Sequence, residues 1–441
     1  MRIKLTVTEG AHKGKEFTFT GHDTLLVGRS SRAHFRLSDE DRYFSRNHFL
    51  IEANPPRCRL LDMKSRNGTY VNGERVETCE LKGGDQIKAG RTVIQVTFES
   101  VPSSPSIDVL PPGAKIADHS EPPPIRRPKP AAMPTRCPLC GNQRANSGEG
   151  SSPLCGECEQ KARSREQIVE GYRIVQQLGG GAMGIVSLAV RLADGLPVAL
   201  KTVTPAVAVR PHQVERFLRE AKILSQLRHP NIVAFHDMGE ADGLFWFAMD
   251  YVRGLDAFRL LRKEGPLSVG RATGLICQLL EALAHAHDSK FVHRDIKPSN
   301  MLIEQTAEGE RTKLADFGLA RIYQTSELSG LTLSGEIGGT VGFMAPEQIT
   351  EFRETEPAAD LFSVAATLYN LLTGSFIFNL EGDLRQRLLA VLQDDPVPIL
   401  NRRADLPRKL AKIIHRGLER EPVKRWPDAA SFRDVLLPYV K

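Results

Sequence analysis

The chain has 441 residues, enough for about three domains with a full hydrophobic core in the largest. Its 59 basic and 53 acidic side chains leave a net charge of +6, which excludes charge balance as an argument for a nucleic-acid or anionic-membrane partner. No stretch approaches the ~20 apolar residues that span a bilayer, so a soluble, cytoplasmic protein with no membrane span and no nucleic-acid partner is expected.

The first residues, Met1 to Thr8, alternate polar and apolar like a strand and lack the apolar core of a secretory signal. Further strands are predicted at Lys15 to Thr20, Thr24 to Val27, Asn47 to Glu52, Arg59 to Asp62, Thr69 to Val71 and Arg91 to Phe98. Gly21, Asn67-Gly68, Asn72-Gly73 and Gly83-Gly84 punctuate them. Residues 1–99 therefore read as an all-β sandwich, with binding residues expected on the loops at one end.

Three of those loops carry chemistry: Gly28-Arg29-Ser30, Ser45-Arg46-Asn47-His48, and Ser65-Arg66-Asn67-Gly68-Thr69 after Asp62. A phosphate dianion is best met by a guanidinium fork with hydroxyl donors, which Arg29 and Ser45 supply. By itself Asn67-Gly68 reads as a type I′ turn. In this order the three segments resemble a forkhead-associated (FHA) domain, which binds phosphothreonine peptides. The resemblance implies that Arg29 and Ser45 hold the phosphate and Asn67 fixes the peptide backbone. Arg46 and Arg66 would add charge, and His48 would brace the loop from inside.

Residues 100–135 are dense in proline without apolar periodicity and read as an extended, semi-rigid linker. The chain's seven cysteines are an odd number: two Cys-x-x-Cys pairs and the single Cys58, Cys79 and Cys277. That usage suits reduced thiols and metal better than a disulfide framework. The pairs, Cys137 with Cys140 and Cys155 with Cys158, can surround one tetrahedral structural Zn²⁺. Exposed free thiols and a redox dithiol are the alternatives, the latter lacking a thioredoxin-like strand and helix context. Residues 136–165 resemble a small zinc ribbon.

From Tyr172 two strands flank Gly179-Gly180-Gly181-Ala182-Met183-Gly184. A lone Gly-x-Gly-x-x-Gly also fits a dinucleotide fingerprint, but a strand rather than a helix follows it. Val198-Ala199-Leu200-Lys201 then ends an apolar strand on an ammonium that needs an acidic partner. The helix Gln213 to Gln226 sets Glu220 beside an apolar stripe. A buried strand, Phe245 to Met249, and an amphipathic helix, Ser268 to His287, come next. The helix delivers His293-Arg294-Asp295-Ile296-Lys297-Pro298-Ser299-Asn300, with Asp316-Phe317-Gly318 beyond a short apolar run.

Phosphoryl transfer needs hard oxygen ligands for a divalent metal and a carboxylate that orients the incoming hydroxyl, which suits these residue types. With Met344-Ala345-Pro346-Glu347 and Arg425, residues 172–438 resemble a Ser/Thr protein kinase of α+β bilobal fold. The resemblance implies catalytic roles for Asp295, Lys297, Lys201 and Glu220, with Lys201 paired to Glu220. Asn300 and Asp316 would hold Mg²⁺ or Mn²⁺. ATP would lie against Leu178, the loop Gly179 to Gly184, Ile185, Val186 and Lys201, with Asp250 and Val252 at the adenine and Asp256 at the ribose. Thr332 and Ser334 are the expected activation-segment phosphosites.

The expected whole is a multidomain Ser/Thr kinase acting on protein substrates, with a phosphothreonine-reading domain and a structural Zn²⁺. A pseudokinase adaptor is the alternative; it requires a damaged Lys201, Asp295 or Asp316, and all three are intact.

Overall fold

The computed structural model describes residues 2–20, 23–30, 33–37, 41–54, 57–99, 136–143, 152–165, 167–181, 184–203, 227–241, 244–316, 340–350 and 356–440. The proline-rich linker, Ala182, Met183, Glu220, Thr332 and Ser334 lie outside the described residues.

Eleven strands make the N-terminal sandwich among the described residues. One sheet runs β2 (Glu16–Thr20), β1 (Arg2–Glu9), β11 (Thr92–Glu99), β10 (Gln86–Ala89), β7 (Thr69–Val71), β8 (Glu74–Val76). The other runs β4 (Phe35–Arg36), β3 (Asp23–Gly28), β5 (Phe49–Asn54), β6 (Arg57–Asp62), β9 (Thr78–Glu80). Alternation sends Ile3, Leu5 and Val7 of β1 inward to meet Val27, Phe49 and Ile51 of the facing sheet. All seven predicted strands are present. The four unpredicted ones, β4, β8, β9 and β10, are short, and β4, β8 and β9 close sheet edges, where polar residues suffice and leave no apolar period to read.

Helix α1 (Gly156–Arg163) follows Cys155 and packs on β12 (Tyr172–Gly181), the first strand of a second unit. There β12, β13 (Gly184–Arg191), β14 (Pro197–Val203), β16 (Leu244–Asp250) and β15 (Phe235–Ala241) form an antiparallel sheet. Beyond it lies a helical lobe. Helix α2 (Ala257–Glu264) is capped by Asp256, and α3 (Val269–Asp288) by Ser268, whose hydroxyl accepts from Arg271 N at 3.3 Å. A short sheet of β17 (Gly254–Asp256), β18 (Met301–Thr306) and β19 (Gly309–Leu314) carries the segment between Asn300 and Asp316.

Helix α4 (Pro346–Thr350) precedes α5 (Pro357–Thr373), which is apolar nearly all round and runs through the lobe's core. Helices α6 (Leu384–Gln393), α7 (Arg408–Gly417) and α8 (Ala429–Leu436) complete the lobe. Arg425, 1% exposed, donates to both carboxylate oxygens of Glu347 at 2.5 and 2.8 Å, pinning α4 to the lobe.

The sandwich rests on this helical lobe. Leu50, Leu61 and Met63 join the lobe's apolar core, and Arg385 pairs with Glu77 at 2.8 Å. The proline-rich composition of 100–135 had implied a separating spacer; the contact arises because β5 and β6 present apolar side chains on their outer face.

Within α5, Asp360 is fully buried. It accepts from His293 N at 2.8 Å, Arg294 N at 2.7 Å and His287 Nε2 at 2.9 Å, and so fixes the loop that leads to Asp295. Burial pushes its carboxyl up, but His287, His293 and these donors outweigh burial and hold it below the usual carboxylate range. The stability it contributes is therefore complete above the unfolded value of ~3.9 and is lost as pH falls through the lower folded value. Asp360→Asn should lower stability by at least ~2 kcal/mol at neutral pH. Urea midpoints measured against pH should show mutant and wild type converging in acid.

Candidate active site

The loop after α3 gathers the expected catalytic side chains. Asn300 Nδ2 donates to Asp295 Oδ2 at 2.9 Å and to Asp295 O at 2.7 Å, and Lys297 Nζ lies 2.9 Å from Asp295 Oδ2. Ala315 N donates to Asn300 O at 2.9 Å, and the His293 ring meets Ala315 O at 3.0 Å, so Asp316 is tied to the same loop. Arg294 and Asp316 have φ of 68° and 58°, left-handed values that cost a side-chain-bearing residue and persist only where the surroundings hold them.

Lys201, 5% exposed on β14, donates to Asp316 Oδ1 at 2.7 Å. The expected partner, Glu220, is outside the described residues; Asp316 is the partner that the structure describes. Burial raises the Asp316 carboxyl, but Lys201 first and then His293 and Lys297 outweigh it and hold the carboxyl below the usual carboxylate range. A carboxylate and an amide oxygen, as Asp316 and Asn300 offer, suit a hard divalent cation.

On the nucleotide side, Gly179 and Gly180 pair with Val186 and Ile185 across β12 and β13. Gly184 has φ of +121°, and a Cβ there would lie 2.0 Å from Thr202 O, so backbone alone fits. Val186 is opposite Lys201 in register and packs towards the lobe core, while Leu178 is half-buried. Ile185, also expected at the nucleotide, is 47% exposed, because successive strand residues point to opposite faces. Asp250 N donates to Ala234 O at 2.9 Å, and its carboxylate meets His236 at 2.8 Å and Lys313 at 3.3 Å. Any contribution of Asp250 to a ring must therefore come from its carbonyl. Val252 is half-buried against the core, and Asp256 caps α2 through Arg259 N at 2.8 Å.

A second cluster lies on the sandwich. Arg29 N donates to Ser45 O at 3.1 Å and Arg29 Nε to Phe44 O at 2.5 Å. A Cβ on Gly28 would stand 2.0 Å from Arg46 O, so that approach requires glycine. Arg66 N donates to Ser45 Oγ at 3.0 Å, and Asn67 Nδ2 to Tyr43 O at 2.8 Å, which brings the three loops together. Gly68, not Asn67, carries the positive φ of this turn, so it is not type I′.

His48 is fully buried beneath these loops. Its Nδ1 accepts from Ser45 N at 2.8 Å and its Nε2 reaches Gly68 O at 3.3 Å, the bracing role expected of it. Burial holds it below the usual histidine range, which suits a neutral ring that accepts at one nitrogen and donates at the other. Arg46 is exposed, and with Ser30 and Asn47 it lines a cavity of about 430 Å³ whose far wall includes Leu392, Asp395 and Arg420 of the helical lobe.

The third cluster is Cys137, Cys140, Cys155 and Cys158, with all four sulfurs within 4.8 Å of one another. Cys140 Sγ lies 3.4 Å from Cys155 Sγ and 3.8 Å from Cys158 Sγ. A tetrahedral Zn²⁺ with Zn–S bonds of ~2.3 Å needs sulfurs roughly 3.8 Å apart, so the set fits that ion. Burial raises the Cys137 thiol, but backbone N–H groups of Cys155, Cys140 and Leu139 outweigh it and bring the thiol down to about 7.

Several positioning residues escape sequence reasoning. Asp62 accepts from Ser65 Oγ and Thr69 Oγ1, each at 2.6 Å, and shapes the Asn67 turn. Asn231 Nδ2 donates to Thr312 O at 2.8 Å and steadies the strand before Asp316. Asp360 had one legible sign, a carboxylate inside an otherwise apolar helix.

A family model for the protein kinase domain matches residues 172–434, and one for the FHA domain matches residues 25–90. The chain is 35% identical over 275 residues to serine/threonine-protein kinase pkn3 of Myxococcus xanthus, which covers 61% of this chain and 50% of that protein. It is 38% identical over 272 residues to serine/threonine-protein kinase PknF of Mycobacterium tuberculosis, covering 60% of this chain and 56% of that protein. The chain thus spans about half the length of the curated relatives it matches. A solved structure, Rad53 1-466 in complex with AMP-PNP, aligns over 100% of both chains with a TM-score of 0.51 at 20% identity, a likeness of fold. With more than half of its length matched, and with Lys201, Asp295, Asn300 and Asp316 gathered in one cleft, the chain belongs to the protein kinase family and carries an FHA domain ahead of its kinase domain.

Proposed function

We propose that this protein transfers the γ-phosphoryl group of ATP to Ser and Thr hydroxyls of protein substrates. The observation that carries the reading is the linked set Lys201–Asp316 and Lys297–Asp295–Asn300, two carboxylates with their own cations on one cleft. Mg²⁺ or Mn²⁺, held by Asp316 and Asn300, would neutralise phosphate charge when bound. Asp295 orients the acceptor hydroxyl and takes its proton as the oxygen bonds to phosphorus, while ADP departs with the bond to its β-phosphate oxygen broken. Lys297 offsets charge on the transferring group, and Lys201, with Glu220 as its second partner, aims the α- and β-phosphates. Intact Lys201, Asp295 and Asp316 speak against an adaptor that only binds.

The FHA domain reads phosphothreonine, on this chain or on partners, through Arg29, Ser45, Arg46, Arg66 and Asn67. Support comes from their convergence over His48. The four cysteines hold a structural Zn²⁺. We assign extents of 1–99 to the FHA domain, 100–135 to the linker, 136–165 to the zinc module and 172–438 to the kinase. Among the described residues no helix is long and apolar enough to cross a membrane, and all seven cysteines are unbridged, which supports a cytoplasmic assignment.

Transfer of labelled phosphate from Mg·ATP to the protein and to a basic substrate tests the kinase. Asp295→Asn should lower the rate by at least ~100-fold, the usual worth of a positioned base. Equal rates in mutant and wild type would reject the assignment. For the FHA domain, Arg29→Ala should weaken a phosphothreonine peptide at least ~10-fold by calorimetry, since a charge-assisted fork is lost. Activation is expected to follow autophosphorylation of Thr332 and Ser334, which mass spectrometry of an active sample should find modified.

A further inference from the structure

We infer that the four-cysteine module is a working part of the kinase's nucleotide-binding lobe, and that filling its metal site sets the affinity for Mg·ATP. The inference rests on the zinc reading above and goes beyond it, from holding a small module together to controlling the neighbouring cleft.

The module covers a surface that the nucleotide sheet alone would leave apolar. Between Ile174 and Gln176 the pairing of β12 with β13 shifts by one residue, and the extra residue is Val175. Ile174 packs on one side with Tyr172, Ala189 and Leu200. Val175 and Val190 instead pack with Cys137, Leu154, Cys155, Cys158 and Ala162, and are 5% and 0% exposed. Two of the strands that frame the glycine loop thus complete their burial on the metal ligands themselves.

Polar contacts fasten the same seam. Gln167 clasps both parts: its Oε1 accepts from Ile174 N at 2.8 Å, and its Nε2 donates to Ile174 O at 3.2 Å and to Ala162 O, near the end of α1, at 2.9 Å. Arg173 of β12 pairs with Glu159 of α1 at 3.7 Å. At the far end, Arg253 Nη2 donates to Pro138 O, inside the first Cys-x-x-Cys turn, at 2.7 Å. Arg253 directly follows Val252, the residue assigned to adenine.

The module therefore touches the strand that leads into Gly179 and the segment that follows Val252, the two edges between which a nucleotide would lie. A metal at the four sulfurs fixes both Cys-x-x-Cys turns and so holds both edges; without it, little apolar residue remains between the pairs to do so.

The test uses the full chain. Metal content is measured by mass spectrometry, binding of a non-hydrolysable ATP analogue with excess Mg²⁺ by calorimetry, and backbone protection of 172–178 by hydrogen exchange. The expected result is one zinc per chain, lost in Cys140→Ser and Cys155→Ser, with nucleotide binding weakened about tenfold, an ordinary size for coupling between sites, and faster exchange over 172–178. Gln167→Ala and Arg253→Ala, which leave all four ligands in place, should retain zinc and still weaken the nucleotide; they decide the matter if the cysteine variants fail to fold. Zinc lost with affinity and exchange unchanged would overturn the coupling while leaving the zinc reading intact. Protein that binds nucleotide normally and carries no metal would overturn both.

Discussion

An ammonium buried on a β-strand cannot stand alone, because the desolvation that apolar neighbours impose must be offset by an opposite charge. Lys201 is 5% exposed on β14, and in this structure that charge is Asp316, 115 residues later in the chain. Meeting this demand draws the five-stranded sheet and the helical lobe together across a cleft. The carboxylate that answers it is also one chemically suited to metal, so a single ion pair positions both the lysine and that carboxylate.

Other buried polar groups extend the same logic outward. Asp360 holds the backbone of His293 and Arg294, and Arg425 holds Glu347. In each case a charge that would be costly in the core is saturated by donors or acceptors on the segment it must position. On the sandwich, neutral His48 does the same for the loops bearing Ser45 and Gly68. Stability and placement of the reactive side chains are thus one problem solved by the same hydrogen bonds.

The accessory units sit closer to the kinase than linker composition suggests. The sandwich shares core residues with the helical lobe through Leu50, Leu61 and Met63, and the cysteine cluster shares core with the nucleotide sheet through Val175 and Val190. The FHA domain, the cysteine cluster and the kinase domain are therefore in contact through shared apolar side chains. Arg46 illustrates it: read from sequence as part of the peptide face, it lines a cavity walled on the other side by the kinase lobe.

Chemistry that is encoded in short range was legible in the sequence by itself. Asp295, Lys297 and Asn300 lie within one loop, the glycines adjoin each other, the cysteines are spaced in pairs, and alternation marks the longer strands. Each of these depends on residues a few positions apart, so the order of residue types is enough. Tertiary structure alone decided the rest: that Lys201 meets Asp316, that a carboxylate in α5 carries the loop leading to Asp295, that Ile185 is exposed, and that Gln167 and Arg253 clasp the four-cysteine module to the sheet of β12 and β13. Lys201 with Asp316, Asp360 with His293 and Arg253 with Pro138 join residues 115, 67 and 115 positions apart. Which of many possible partners a buried charge or an exposed valine takes is set by the packing of whole elements, not by any local pattern.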